Sequence, residues 1–250
     1  MEQEPQPFTV TTANTHYNDA IATPEHIKDF AGTDILLLQE VLKIDRAQVE
    51  ENLGGIGLKL AAYDAEAGLA VAVSDKFRVK GSQSYEIQPR SRLADKAEKL
   101  GFNPRLRKRS LLVAHLEDEA GNEIAAATGH PIVFVRFFQR IKQVKAISKV
   151  LTDHYPLGNI IFGADKNHYP GPRKVDLAMA AASGLKYIAL KAPTVFLNET
   201  KHKYLKLLRV KDAQLDALMT RGFKEIQSRI LKIHSDHRAI QTILTIKRPK

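Results

Sequence analysis

The stretch Ile35-Leu36-Leu37-Leu38-Gln39-Glu40-Val41 passes from four consecutive apolar residues to an amide and a carboxylate. A continuous apolar run of this kind predicts a strand that is buried on both faces of a sheet. Polar side chains that follow such a strand lie at the edge of the sheet, where α/β folds collect binding and catalytic groups. Glu40 is therefore the first candidate functional residue of the chain.

The same arrangement recurs along the chain, with polar residues at or near the end of a short apolar run. The recurring segments are Thr12-Ala13-Asn14, Thr128-Gly129-His130, Ala164-Asp165-Lys166-Asn167, Gln214-Leu215-Asp216 and Ser235-Asp236-His237. Strand ends on one side of a sheet converge, so these distant residues can form one site. Acidic, amide and imidazole groups in one place are typical of metal-dependent phosphoester hydrolysis.

Hydrophobic patterns predict many strands and few helices. The predicted strands cover residues 8–15, 35–38, 58–63, 69–73, 111–114, 124–128, 159–164, 214–220, 224–233 and 238–246. Two of them flank Glu119-Ala120-Gly121-Asn122, which predicts a hairpin turn. This pattern favours two packed sheets with flanking helices.

Two segments predict helices and one predicts a connection. Thr23-Pro24 predicts a helix start with Thr23 as N-cap. Apolar residues at steps of three and four from Val135 to Leu151 predict an amphipathic helix. Residues 75–109 are polar and poorly periodic, and we expect a long connection there with a short helix near residues 93–100.

Length and composition restrict the class of protein. The chain has 250 residues, of which 44% are hydrophobic, and it shows no internal repeat or linker, so we expect a single domain over residues 1–250. It contains no cysteine, which excludes disulfides, thiolate zinc sites and cysteine nucleophiles. We expect no transmembrane segment, no signal peptide and a cytoplasmic location.

The charge of the chain favours a polyanionic partner. The formal net charge is +10, from 38 Lys+Arg against 28 Asp+Glu, which favours nucleic acid first and an anionic membrane surface second. Part of the excess lies in Arg105-Leu106-Arg107-Lys108-Arg109. We expect Arg107, Lys108 and Arg109 to bind substrate phosphates. No feature indicates an obligate protein partner.

The motif segments, in their order along nearly the whole chain, resemble those of the endonuclease/exonuclease/phosphatase superfamily. The resemblance implies the DNase I-like four-layer α/β sandwich and a divalent-metal-dependent phosphodiesterase. The chain departs from the family in Ala164-Asp165-Lys166-Asn167, where a glycine and an aromatic residue are usual. Alanine is small enough for the turn, whereas the lysine changes the charge close to the substrate.

The resemblance implies a metal centre built on Glu40. Glu40 would be the main ligand of Mg²⁺ or Mn²⁺, Asn14 would support the metal or the phosphate, and Asp236 would be a second acidic group near the metal. This set fits the chemistry of Mg²⁺, which keeps several waters and needs only one or two protein carboxylates.

The resemblance also implies the catalytic groups. His237 would be the general base that deprotonates water, and Asp216 would orient it. Asp165 and Asn167 would position the nucleophile and contact the phosphoryl oxygens. His130 would contact the phosphate and could protonate the leaving group; it is typical of the branch that contains DNase I-like nucleases, sphingomyelinases and many phosphatases.

The sequence leaves more than one class of substrate open. Net charge favours a nuclease acting on DNA or RNA, and the alternative is a phosphatase or phosphodiesterase acting on lipid headgroups or small-molecule phosphoesters. A non-catalytic module that binds polyanions on the same fold is a third possibility. Five of the histidines outside the motifs are expected to be structural or exposed: His115, His154, His168, His202 and His234.

Overall fold

The computed structural model describes residues 6–42, 44–88, 109–131, 137–156, 158–165, 179–188, 190, 194–196, 212–213 and 216–247. The strands are β1 Phe8–Asn14, β2 Ile35–Gln39, β3 Lys59–Asp64, β4 Leu69–Val73, β5 Phe77–Gln88, β6 Arg109–Asp118, β7 Glu123–Gly129, β8 Asn159–Asp165, β9 Lys186–Tyr187, β10 Val195–Phe196, β11 Asp212–Ala213, β12 Asp216–Arg221, β13 Phe223–Leu231 and β14 Ala239–Ile246. The helices are α1 Pro24–Ile27, α2 Arg46–Gly54 and α3 Phe137–His154, and residues 179–183 are helical as well. Short 3₁₀ turns cover Asp19–Ile21 and Lys28–Phe30.

Twelve of these strands form two six-stranded mixed sheets. The first sheet has the order β13-β14-β1-β2-β4-β3, and the second has the order β5-β6-β7-β8-β12-β9. Two central pairs, β1–β2 and β7–β8, are parallel, and the other described pairs are antiparallel. The motif residues found in the sequence lie at the carboxyl ends of both parallel pairs.

The two sheets pack face to face between helical layers. Their facing sides share one apolar core, to which the first sheet contributes Leu37 and Val71 and the second contributes Leu112 and Ile161. The outer side of the first sheet packs against α1 and α2, and the outer side of the second packs against the Ile147 face of α3. This is the predicted four-layer α/β sandwich. Within the described ranges, no helix combines the length and the apolar character that a bilayer crossing needs.

Several local predictions are confirmed. The hydroxyl of Thr23 accepts a hydrogen bond from the His26 amide at 3.3 Å, and Pro24 is the first residue of α1. The turn between β6 and β7 is a hairpin in which the Asp118 carboxylate accepts from the Asn122 amide at 2.8 Å. Helix caps and tight turns depend on residues that are neighbours in sequence, so they can be predicted from the sequence alone.

The prediction of a connection over 75–109 is wrong in its first part, because β5 is a twelve-residue strand over Phe77–Gln88. The strand lies at an edge of the second sheet and pairs with β6 through two register shifts, at Val79/Gly81 and Glu86/Gln88. Bulges interrupt the alternation of apolar and polar residues, and an edge strand carries many polar side chains. The short helix expected near residues 93–100 lies outside the described residues.

The two sheets are in tight contact where a glycine of β8 faces β1. A Cβ atom on Gly163 would lie 2.5 Å from the Thr12 hydroxyl oxygen and 2.8 Å from Leu37 Cδ1. Beside this contact, the buried amide of Gln39 donates to the hydroxyls of Thr12 at 3.1 Å and Thr128 at 2.8 Å. The Gln39 amide therefore joins β1, β2 and β7, which belong to different sheets.

Gly163→Ala is expected to destabilise the fold by about 1–3 kcal/mol, since the added methyl group would overpack the interface between the sheets. The matched control is Gly129→Ala on the neighbouring strand β7, where the nearest atom to an added Cβ lies at an ordinary 3.6 Å. Urea unfolding of both variants measures the difference. Equal stabilities would show that the sheets can move apart at Gly163 without cost.

Candidate active site

Most of the side chains that the sequence predicts to be functional lie together at one edge of the sandwich. Asn14 ends β1 and Glu40 follows β2, while His130 follows β7 and Asp165 ends β8. The antiparallel strands β12 and β14 begin at this same edge, because Asp216 pairs with Asp165 and Thr12 pairs with Ile240. His237, two residues before β14, therefore reaches the ends of the parallel strands.

The Asn14 amide links the two sheets within the site. Its Nδ2 donates to Glu40 Oε1 at 3.2 Å and to Asp165 Oδ2 at 2.8 Å, and all three side chains are buried. The backbone carbonyl of Asn14 accepts from the Ser235 hydroxyl at 2.8 Å, and the same hydroxyl accepts from the His237 amide at 3.1 Å. Asn14 thus fixes the positions of the acidic residues and of the segment that carries His237.

Glu40 adopts a backbone conformation that is unusual for its residue type. Its φ is +60°, in the left-handed region that costs a non-glycine residue about 1–3 kcal/mol. Hydrogen bonds on both sides maintain it: the Gln39 carbonyl accepts from the amide of Thr15 at 2.9 Å, and the Val41 amide donates to Gly68 at 3.0 Å. Strain of this kind concentrates at functional sites, where a side chain must leave a strand in a special direction.

His237 forms a buried pair with Asp216. Its Nδ1 lies 3.0 Å from Asp216 Oδ2, and its Nε2 lies 3.9 Å from Asp165 Oδ2. Burial alone would lower the pKa of the imidazole, but the carboxylates of Asp216 and Asp165 together outweigh burial and hold it well above its usual value. Burial raises the pKa of Asp165 to about 7, partly offset by His237. The arrangement can hold and release a proton near neutral pH.

The pKa of His130 is shifted in the opposite direction to that of His237. Its Nε2 lies 3.5 Å from Asp165 Oδ2 and 3.7 Å from Glu40 Oε1. Burial, followed by the positive charges of Arg109 and His237, lowers the pKa of His130 well below its usual value. A neutral imidazole can donate or accept a hydrogen bond, but it does not carry the extra proton that a general acid transfers.

The acidic groups fit a divalent cation. Ligand atoms of Glu40, His130 and Asp165 lie within 4.8 Å of one another, as do those of Asp165, Asp216 and His237. Burial is the main cause that raises the pKa of Glu40, and the nearby charge of Asp236 raises it further, so a cation bound here would stabilise the ionised carboxylate. The side chains of Glu40 and Asp236 are 12% and 14% exposed, against 1% for His130 and Asp165, so a metal has access from the Glu40 side.

The remaining predicted site residues divide into two groups. Asn167, Arg107 and Lys108 lie outside the described residues. Arg109, which was expected in a basic cluster away from the motifs, is the first residue of β6 and is buried. Its charge acts on His130, so Arg109 lies near the motif residues.

Sequence reasoning missed two residues at the site. His16 lies in the loop after β1, with its Nε2 3.9 Å from Asp236 Oδ2. Thr194 accepts a hydrogen bond from the Asp216 amide through its hydroxyl at 3.2 Å, and another from the Arg238 amide through its carbonyl at 2.7 Å. Neither residue lies in a motif, and no periodic pattern marks either one.

Comparison with known proteins identifies the fold through structure. No protein-family model and no curated protein sequence matches the chain. An endonuclease/exonuclease/phosphatase from Bacteroides vulgatus superposes with a TM-score of 0.71 at 15% identity, over 97% of this chain and 100% of that one. The fold is that of the endonuclease/exonuclease/phosphatase superfamily. This confirms the resemblance seen in the sequence at the level of the fold.

Two further structures show how diverse this superfamily fold is. TDP2 from D. rerio, complexed with a single-stranded DNA product, matches with a TM-score of 0.68 at 13% identity, over 96% of this chain and 99% of that chain. A mannosyl-6-phosphatase from Bacteroides thetaiotaomicron matches with a TM-score of 0.67 at 11% identity, over 96% of this chain and 100% of that chain. At these identities the likeness shows the shared fold alone.

Asp216→Asn is expected to lower the pKa of His237 in the metal-free protein, because the Asp216 carboxylate stabilises the imidazolium. Removing a negative charge beside the imidazolium makes it easier to deprotonate. NMR titration of the histidine ring signals measures the shift. Asp153→Asn, at an exposed carboxylate on α3 that pairs with Lys149, is the control and should leave His237 unchanged.

A titration of His237 that is the same in Asp216→Asn and in the unmodified protein would contradict this electrostatic pairing. Asp165 would then be the group that stabilises the imidazolium.

Proposed function

We propose that the chain is a divalent-metal-dependent phosphoester hydrolase, with its site in a single domain over residues 1–250. This proposal is supported by two hydrogen-bonded groups of side chains that lie together at one edge of the sandwich. One is the hydrogen-bonded pair of Asp216 and His237, and the other is the network of Asn14, Glu40 and Asp165. Together they offer a base with its orienting carboxylate next to acidic groups that can hold a metal.

Glu40 is the proposed principal metal ligand, supported by Asn14 and Asp236. All three offer oxygen atoms, which suit Mg²⁺ or Mn²⁺. The cation would neutralise charge on the phosphoryl oxygens as the phosphoester is attacked. The Asn14 amide donates to Glu40 Oε1, so the other carboxylate oxygen of Glu40 would bind the cation.

His237 is the proposed general base. Its Nδ1–H donates to Asp216, which fixes the tautomer and leaves Nε2 to take a proton from water inside the site. Asp165, 3.9 Å from that Nε2, and the adjacent Asn167 would position the water and contact the phosphoryl oxygens. The proton held between Asp165 and His237 must leave before His237 acts, so activity should rise with pH.

His130 and the basic residues are proposed to bind the phosphate. A neutral His130 can donate a hydrogen bond from Nε2–H to a phosphoryl oxygen, but it has no second proton to transfer to the leaving group. Arg109 is buried next to this group and adds positive charge behind it. Arg107 and Lys108 would contact phosphates further along a polymeric substrate.

Nucleic acid is the proposed substrate class, because the chain carries a formal net charge of +10 and duplex DNA and RNA are polyanions. The TDP2 structure with its DNA product shows that this fold accepts single-stranded DNA in another protein. A small-molecule phosphoester is the second candidate, and the mannosyl-6-phosphatase of the same fold favours it.

Glu40→Gln is expected to remove metal-dependent hydrolysis, with a fall in kcat/KM on the order of 10³-fold, because a metal supplies several kcal/mol of transition-state stabilisation. Glutamine keeps the shape and the acceptor for the Asn14 amide but loses the charge. The measurements are calorimetric titration of Mn²⁺ and hydrolysis with and without EDTA. Glu50→Gln on α2, where the carboxylate pairs with Arg46, is the matched control. Full Mn²⁺ affinity in Glu40→Gln would remove Glu40 from the ligand role.

A nuclease should bind its substrate with strong salt dependence. Each neutralised phosphate adds about −0.9 to the log–log slope on duplex DNA, so four to six contacts give a slope of about −4 to −5. Fluorescence anisotropy of labelled DNA and RNA across a salt series, in Ca²⁺ to limit cleavage, measures it. The same protein is assayed for release of phosphate from sugar phosphates, phosphatidylinositol phosphates and sphingomyelin. A slope near zero together with turnover of a small phosphoester would favour the second candidate.

A further inference from the structure

The loop that carries His237 is held from outside the site as well as from within. On the inner side, the Ser235 hydroxyl donates to the Asn14 carbonyl at 2.8 Å and accepts from the His237 amide at 3.1 Å. On the outer side, the residue before Ser235 is His234, which contacts the layer that contains α1. His234 belongs to no sequence motif, so its role follows from these outer contacts.

His234 forms two hydrogen bonds with one carboxylate oxygen. Its backbone amide donates to Asp29 Oδ2 at 3.2 Å, and its Nδ1 lies 2.8 Å from the same oxygen. A carboxylate can only accept, so Nδ1 carries a proton and donates it to this bond. One bond holds the main chain and the other holds the ring, so Asp29 fixes both the place and the orientation of His234.

A second imidazole stacks on the ring of His234. The rings of His26 and His234 have centroids 3.9 Å apart and lie 10° from parallel. His26 is oriented as well, because its Nδ1 lies 2.7 Å from the backbone carbonyl oxygen of Asp19, which can only accept. The stack therefore connects the His237 loop with α1 and with the 3₁₀ turn Asp19–Ile21.

Asp29 lies in a well-anchored part of the fold. Ile27 and Phe30, on either side of it, are both buried. They belong to the same apolar cluster as Ile233, the residue before His234. The two segments that this carboxylate joins are therefore both anchored by buried side chains on the outer side of the first sheet. A group whose own position is fixed by packing can hold a functional loop in one geometry.

We propose that Asp29 is a positioning residue, which acts through His234 to hold His237 in its place in the site. This rests on the proposed function, in which His237 is the general base. Asp29 acts on the loop and not on the substrate. A displacement of about 1 Å at a reacting group can cost on the order of 100-fold in rate, so the effect of losing Asp29 should fall on kcat.

The test compares Asp29→Ala with Asp29→Asn. Alanine removes the acceptor of both hydrogen bonds, whereas asparagine keeps an oxygen that can accept them and loses only the charge. The substrate probe is bis(4-nitrophenyl) phosphate with Mn²⁺. In Asp29→Ala we expect kcat to fall on the order of tenfold or more, with KM within about twofold of the unmodified protein. Asp29→Asn should retain most of kcat. Asp75→Ala, at an exposed carboxylate that pairs with Lys59, is the matched control and should leave kcat unchanged.

A second measurement reports on the loop independently of catalysis. Hydrogen exchange by NMR follows the backbone amides of His234, which donates to Asp29, and of His237, which donates to Ser235. In Asp29→Ala we expect both amides to exchange faster, on the order of tenfold, because the loop opens more often. Asp29→Asn should restore slow exchange. Unchanged exchange in the central strand β1 would show that the fold is retained.

A double substitution tests whether Asp29 acts through His234. His234→Phe keeps a ring that can stack on His26, but it cannot donate from Nδ1, so it should lower kcat by a smaller factor than Asp29→Ala. If the two residues act as a unit, Asp29→Ala combined with His234→Phe should be scarcely worse in kcat than Asp29→Ala alone. Losses that multiply would overturn the role of His234 as the link.

Three further results would contradict the proposal in different ways. Unchanged kcat and unchanged amide exchange in a folded Asp29→Ala would overturn it, and persisting Mn²⁺-dependent hydrolysis would leave the proposed function standing. Faster exchange of the His237 amide with unchanged kcat would also overturn it, since the position of the loop would then not limit the reaction. Absence of hydrolysis by the unmodified protein would overturn both the proposed function and the role of Asp29 in it.

Discussion

The rest of the site depends on the hydrogen bonds of the buried side-chain amide of Gln39. It reaches hydroxyls on β1 and β7, and the Thr128 hydroxyl in turn donates to the Leu38 carbonyl at 3.3 Å. A buried polar group that loses its partners costs about 1–3 kcal/mol, so this bridge specifies one relative position of the two sheets. Asn14, Glu40 and His130 each follow a member of the bridge by one or two residues. The spacing of the functional groups is therefore set by the docking of the sheets.

The same edge of the sandwich concentrates features that reduce stability. Glu40 has a left-handed backbone, and Asp165 and Glu40 have their pKa values raised mainly by burial. Such groups persist because the apolar core between the sheets and the Asn14 hydrogen bonds outweigh them. This is the usual relation between a preorganised site and its scaffold, in which optimising the site for stability would lower its activity. A bound dication would relieve part of the repulsion among the carboxylates.

Most of the fold and the main site could be predicted from the sequence because their signals are local. The apolar run before Gln39-Glu40 and the turn residues around Gly121 can each be recognised from a few neighbouring residues of the sequence. The parts that sequence reasoning missed depend on distant contacts. The strand β5 is an edge strand with two bulges, and Arg109 is buried close enough to His130 for its charge to act on that ring. His16 approaches Asp236 through a turn of three left-handed residues. None of these arrangements leaves a periodic pattern in the chain.

The order of strands in the first sheet has a consequence for synthesis. Its central strand β1 lies between β2, which follows early in the chain, and β14, which comes after the whole second sheet. A nascent chain that has not yet reached β14 leaves one side of β1 without its hydrogen-bonding partner, and it lacks His237 as well. Amino-terminal fragments therefore carry Asn14 and Glu40 but cannot assemble the site. The candidate site at this edge can therefore form only after β14 has been synthesised.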